Sequence, residues 1–294
     1  MAIALEAFGY RLVVAPEHGA TILRADWRRG DAEWLPILEP LLRPQDALNA
    51  GCFLMAPFAN RIHGGRFRFE GEDILFPMNR PEANMACHGF TRDFAWQVLS
   101  LSADCLALGC KPEAPGYPWH FSITQKLCLS PDGIDIELIA HNTGLRPLPF
   151  GFGLHPWFPR PPGTTLTFKA AGAYRQDPLG LPVTPLEPQP AFDLTSRQPL
   201  ERVETIDRCF AGWNPREARI DWPDRQMALC LRAEGALKHL HVYLPETRAV
   251  FCVEPVSHVP DVVNRPELGP DAAMTVLSPQ EMLQGKMTMQ AFPI

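Results

Sequence analysis

The sequence predicts an all-β protein, a sandwich or a barrel. Three observations carry this. Short runs of alternating apolar and polar residues follow one another, separated by turn residues. Segments of ten or more residues with helical periodicity are nearly absent, which argues against a βαβ arrangement. Proline accounts for 32 of 294 residues, about twice its usual ~5% share. It fixes φ and removes a donor, so it suits loops and short elements rather than long helices.

Taken in order, residues 10–14 and 20–25 read as strands. Residues 66–77 (RFRFEGEDILFP) read as a hairpin turning near Gly71. AWQVLSL and DCLALGC form a further strand pair. FSITQKLCLSPDGIDIELIAHNTG holds two long alternating segments around Pro131-Asp132-Gly133. There proline presets φ and glycine accepts φ > 0, which is the chemistry of a tight turn. TTLTFKA, QMALCLRA, LKHLHVYL, RAVFCVE and GKMTMQAF add strands. Proline-rich connections fall at residues 147–149, 159–162 and 178–190, the last a long surface loop after the strand region ending at Phe168. Strand patterns of the same kind continue on both sides of that loop, so residues 1–294 read as one domain without an internal repeat.

Composition narrows the function classes. Hydrophobic residues make up 46% and charged residues 20%, ordinary for a globular chain and unlike disorder. The net charge of −6 argues against a nucleic-acid partner. No apolar run approaches the roughly 20 residues that span a bilayer. The N-terminus carries no basic leader and has Glu6 early, so a cytoplasmic location is expected. The eight cysteines include no C-x-x-C pair and several sit in apolar strand runs. They read as buried, reduced thiols of an intracellular protein.

No G-x-S-x-G, H-E-x-x-H or P-loop is present, and Gly151-Phe152-Gly153 lacks the third glycine and following helix of a dinucleotide site. The chemistry concentrates in segments where polar and aromatic residues mix: Asn60, Arg61 and His63; His88 and Arg92; His155 and Trp157; Asp207; and Glu254, His258 and Asp261. Glu254 ends the apolar run Ala249-Val250-Phe251-Cys252-Val253, and alternation can place it on a face with Phe and Cys positions. There its carboxyl is desolvated and its basicity raised. The commoner fate of such a residue is to face solvent. His155, amid Phe150, Phe152, Trp157 and Phe158, is read alone as either a hydrogen-bonded core histidine or a catalyst. Trp157, Phe158 and Trp213 are core residues or platforms for the apolar face of a pyranose.

The order of these segments resembles the aldose 1-epimerase family, the mutarotases typified by galactose mutarotase. Asn60-Arg61-Ile62 with Gly64-Gly65-Arg66-Phe67 resembles the family's N-R-I-x-x-G-x-F. Cys87-His88-Gly89-Phe90 resembles its substrate-binding L-H-G region, and His155 its catalytic histidine. Ile206-Asp207-x-x-Phe210 matches a sugar-binding aspartate segment. Cys252-Val253-Glu254-Pro255 with Pro260-Asp261-x-x-Asn264 matches the catalytic glutamate segment, and residues 276–281 the C-terminal L-x-P-G-E. Two departures stand out: Phe90 where galactose enzymes have a second glycine, and Leu154 where they have asparagine before the histidine. The G-L-H-P-W form resembles divergent branches that include hexose-6-phosphate epimerases.

The resemblance implies one large antiparallel β-sandwich of the galactose mutarotase type with an open sugar-binding cleft. It implies a mutarotase that interconverts α and β anomers of a hexose, with Glu254 as general base and a cationic His155 as general acid. Asn60, Arg61, His88, Trp157 and Asp207 would bind the sugar. Only protons move, so neither metal nor organic cofactor is expected. The expected partner is a small sugar, bound by a monomer or homodimer, with no nucleic acid or membrane involved. A phosphosugar enzyme is the alternative, with Arg61, Arg66, Arg68 and Arg92 as phosphate ligands. Two further alternatives are a non-catalytic sugar-binding protein and a cupin-like metal site of His88, His155, Glu254 and His258, residues that no close H-x-H spacing joins.

Overall fold

The computed structural model describes residues 1–43, 49–114, 117–187 and 197–294. Two antiparallel sheets face each other across one extended core. The larger, of eleven strands, places Cys52–Met55, Gly153–Pro159, Val250–Val256, His239–Leu244 and Ile206–Ala211 side by side at its centre. The smaller, of eight strands, is built on Phe121–Ser130, Gly133–Asn142, Met282–Pro293 and Met227–Gly235. The expected strands are present, including the hairpin of Arg66–Phe69 and Glu72–Leu75 and the tight turn closed by Ser130 opposite Gly133. No helix among the described residues is long and apolar enough to cross a membrane.

Period-two alternation explains how the central strands serve two purposes. Leu154 and Phe158, Phe251 and Val253, Leu240 and Val242, and Ile206 and Phe210 all point into the core between the sheets. Their sequence neighbours His155, Trp157, Cys252, Glu254, His241, Tyr243 and Asp207 therefore share the opposite face. Glu254 thus shares its face with Cys252, while Phe251 lies on the other. The outer face is not left to water. Loops before and after the strands Arg61–His63 and Met85–Cys87, together with residues 257–272, fold over it.

Two expectations need correction, and one strand went unread. The segment at residues 178–190 is not simply a surface loop: Pro182–Glu187 is the edge strand of the large sheet, paired with Gly172–Gln176. Proline is tolerated there because an edge strand has no second neighbour to receive its missing hydrogen bond. Residues 188–190 lie outside the described residues. Gly153–Pro159 was not legible as a strand, since Pro156 and Pro159 argue against a central position. Its pairing with Val250–Val256 runs at Gly153–Val256 and resumes at Trp157–Cys252. The interval holds Pro156 and Pro255, neither of which has an N–H to give. Finally, Cys105 and Cys128 form a disulfide. They stand opposite each other on paired strands, a juxtaposition that 23 residues of separation concealed. The other six are free thiols, all but Cys230 buried.

The two-faced strands separate stability from chemistry. Phe251→Ala, on the core face, is expected to cost about 3–5 kcal/mol, read as a lowered denaturation midpoint. A shift equivalent to under ~1 kcal/mol would show that this face is not the packed one.

Candidate active site

His155 and Glu254 form the floor of a cleft of about 370 Å³. The flanking pairs of their two strands bring them level, and His155 Nε2 lies 3.4 Å from Glu254 Oε1. Both are deeply buried, at 6% and 1% exposure. Neither Glu254 Oε2 nor His155 Nδ1 has a hydrogen-bond partner. Burial pushes the Glu254 carboxyl well above the usual carboxylate range, helped by the charge of Asp207 and opposed by Arg61. Burial also lowers His155 to about 3, with His241 and Arg92 adding to it. The expected cationic His155 is therefore not the resting form. Burial thus disfavours the charged form of each group.

The imidazole is fixed by aromatic rings. Phe53 stacks on His155 at 4.6 Å and Trp157 at 5.2 Å, while His88 meets it edge-on at 5.1 Å. Trp157 is only 3% exposed, and the Arg248 guanidinium covers its ring at 4.5 Å. It packs against both His155 and Arg248 while lining the cleft. Phe158 and Trp213 belong to the core, which removes them as platforms.

A second cluster forms the polar wall. Arg61 pairs with Asp207 at 2.5 Å, and His241 Nε2 lies 2.8 Å from the other oxygen of the same carboxylate. Burial alone would raise Asp207, but the hydrogen bond from His241 and the charge and contact of Arg61 hold it well below the usual range. Asn60 Nδ2 approaches His241 Nε2 at 3.3 Å. His88 rests its Nδ1 on Met55 Sδ at 2.9 Å, and burial lowers its pKa well below the ordinary histidine value.

The loops that carry Asn60, Arg61 and His88 are tied by backbone contacts. The His88 N–H donates to Asn60 O at 2.7 Å. The Asp261 N–H donates to Arg61 O at 2.8 Å, and Asp261 Oδ1 accepts from the His63 N–H and from Asn264 Nδ2. The Pro260-Asp261-x-x-Asn264 segment is thus a clamp on the Arg61 strand. Gly89 has φ +62, and a Cβ there would meet Ala56 O at 1.9 Å, so the residue after His88 must be glycine. His258 accepts from the Ala59 N–H and donates to Val259 O, which commits both nitrogens. That removes it from the metal set considered above.

All seven site residues expected from the sequence line this one cleft. His241, Tyr243 and Arg248 line it too and were not singled out. The available signal for His241 was His239-Leu240-His241 inside an apolar strand, a spacing that puts both histidines on the face opposite the core. The phosphate cluster does not assemble. Arg61 is engaged by Asp207, Arg66 and Arg68 line a separate shallow pocket with Asn264, and Arg92 lies over Phe53.

Residues 1–290 match the family profile described as aldose 1-epimerase. The chain belongs to the aldose 1-epimerase family. It is 30% identical over 277 residues to the uncharacterised protein YphB of Escherichia coli (strain K12), covering 92% of each chain. A solved structure of a putative aldose 1-epimerase from Escherichia coli K12 superposes with a TM-score of 0.87 at 28% identity, covering 100% of this chain and 99% of that one. A galactose mutarotase-like protein from Clostridium acetobutylicum shares the fold, with a TM-score of 0.87 at 17% identity over 100% and 95% of the two chains.

Within an aldose epimerase cleft so tightly tied, Gly89→Ala is expected to displace the His88 loop. Turnover of sugar should fall at least about tenfold while the chain remains folded by circular dichroism, since about 1.4 kcal/mol of lost transition-state positioning is enough. Full activity in Gly89→Ala would show that the close approach is not needed.

Proposed function

We propose that the protein is an isomerase that interconverts the anomers of a neutral hexose by opening and reclosing the ring. The observation that carries this is the buried His155–Glu254 pair, 3.4 Å apart at the cleft floor, where burial disfavours the charged form of each. Ring opening removes a proton from the C1 hydroxyl and delivers one to the ring oxygen. A pair with one proton and one vacancy can do both in a single encounter, each transfer contributing roughly 10²–10⁴-fold. Sugar binding favours moving the resting proton from Glu254 to His155. The C1 hydroxyl then donates to the Glu254 carboxylate, and the ring oxygen accepts from His155. Closing the ring on the other face of the aldehyde reverses both transfers and restores the pair.

The remaining wall is suited to a polyol. Arg61 and His88 donate to sugar oxygens, Asp207 accepts, and Asn60 stands beside His241 to complete the polar rim. Three arginines line the cleft, and each is already engaged: Arg61 by Asp207, Arg80 by Glu82 at 3.6 Å, Arg248 by Asn49 and Trp157. This favours a neutral sugar over a phosphosugar. A lectin would have no use for a buried acid–base pair, which favours catalysis over binding alone.

Glu254→Gln is expected to lower anomer exchange on D-glucose or D-galactose, followed by NMR, by at least about 10³-fold while sugar binding persists. An unchanged rate would remove Glu254 from the reaction. The pH profile follows from the directions above. A second proton enters the pair only far below the ordinary histidine range, because His155 is depressed to about 3. The Glu254 proton leaves only above the ordinary carboxylate range, because Glu254 is raised. The rate, corrected for buffer catalysis, should therefore be flat through pH 6.5. A half-loss of activity centred near pH 6.5 on the acid side would contradict the neutral pair.

A further inference from the structure

We propose that the cleft floor is also an inhibitory site for a thiophilic divalent cation, held by His155, Cys252 and Glu254. A ring nitrogen of His155, Cys252 Sγ and a Glu254 carboxylate oxygen lie within 4.8 Å of one another. All three residues are buried, and His155 and Glu254 open onto the cleft. Cys252 stands on the same strand face, between Trp157 and Tyr243 of the flanking strands.

The donor set matches what zinc or cadmium takes: one imidazole, one thiolate and one carboxylate, with a fourth position open to water. The geometry is close to ready. Two ligands about 2.0–2.1 Å from a tetrahedral ion stand about 3.3 Å apart, and His155 Nε2 and Glu254 Oε1 are already separated by 3.4 Å. Only the Cys252 thiol must draw in. Glu254 Oε2 and His155 Nδ1 have no hydrogen bond to give up on binding. Binding to the neutral groups displaces the Cys252 thiol proton and the Glu254 carboxyl proton to water, so two protons leave as one dication enters, and the site stays uncharged. The ion would sit on the groups that the proposed reaction uses. It is an inhibitor and not a resident cofactor, since moving protons needs no metal.

Cys252 takes no part in the proposed proton transfers, which allows the site to be tested apart from the reaction. The probe is cadmium alone, titrated into the full chain and followed by the cadmium–thiolate charge-transfer band and by equilibrium dialysis. The expected result is one equivalent bound, with the band and the equivalent lost in Cys252→Ala and in Cys252→Ser. In parallel, cadmium should stop anomer exchange in the wild type, chelator should restore it, and Cys252→Ala should need at least about tenfold more cadmium. That step in affinity is what about 1.4 kcal/mol provides. A band that survives in both variants assigns the metal to another thiol, such as the half-buried Cys230, and overturns the proposal. So does a Cys252-dependent equivalent that leaves exchange uninhibited. If the protein exchanges no anomers at all, the band and dialysis still decide the metal site, while the proposed function fails separately.

Discussion

The arrangement depends on one costly burial. A carboxyl and an imidazole are sunk into the middle of a large sheet with no partner but each other, at 3.4 Å. Either group charged alone would carry a desolvation penalty that few neighbours offset. A neutral carboxylic acid beside a neutral imidazole carries no net charge, which makes the burial tolerable. That state leaves one site that can take a proton beside one that can give it, which is what the proposed ring opening demands. Stability and reactivity are thus set by a single constraint, the proton count of the pair.

The surrounding structure serves that constraint. The core face of the central strands is largely apolar, so the polar face is free to hold chemistry without weakening the sandwich. Phe53 and Trp157 hold the imidazole between stacked rings. The Arg61–Asp207–His241 cluster balances its own charges one strand away and keeps a fixed negative group near Glu254. Asp261 ties down the backbone that carries Arg61 and His63, and Asn264 donates to the Asp261 carboxylate and to Arg66 O. Motif residues in this chain therefore divide into those that face the cleft and those that tie down its walls.

Much of this was legible in the sequence, and the exceptions have physical causes. The long alternating strands Phe121–Ser130 and Gly133–Asn142 of the smaller sheet were plain because one face is buried and the other only half-buried. In the larger sheet Val250–Val256 and His239–Leu244 were legible as apolar runs, whereas Gly153–Pro159, buried on both faces, shows no polar alternation. Pro156 hid Gly153–Pro159 further, although its missing N–H falls where the ladder is already open. The seven site residues reach one cleft, and motif order was enough to name them. Motif order could not find His241, whose significance comes from lying beside Glu254 across a strand register. Nor could it foresee a neutral His155, which follows from three-dimensional burial, or the pairing of Cys105 with Cys128.

The central claim is that the unliganded pair is uncharged, with the proton on Glu254. Infrared difference spectroscopy between the wild type and Glu254→Gln, at neutral pH and without sugar, observes this directly. The account predicts a carboxylic-acid C=O stretch present in the wild type and absent in the variant. A carboxylate signature at Glu254 under the same conditions would contradict it.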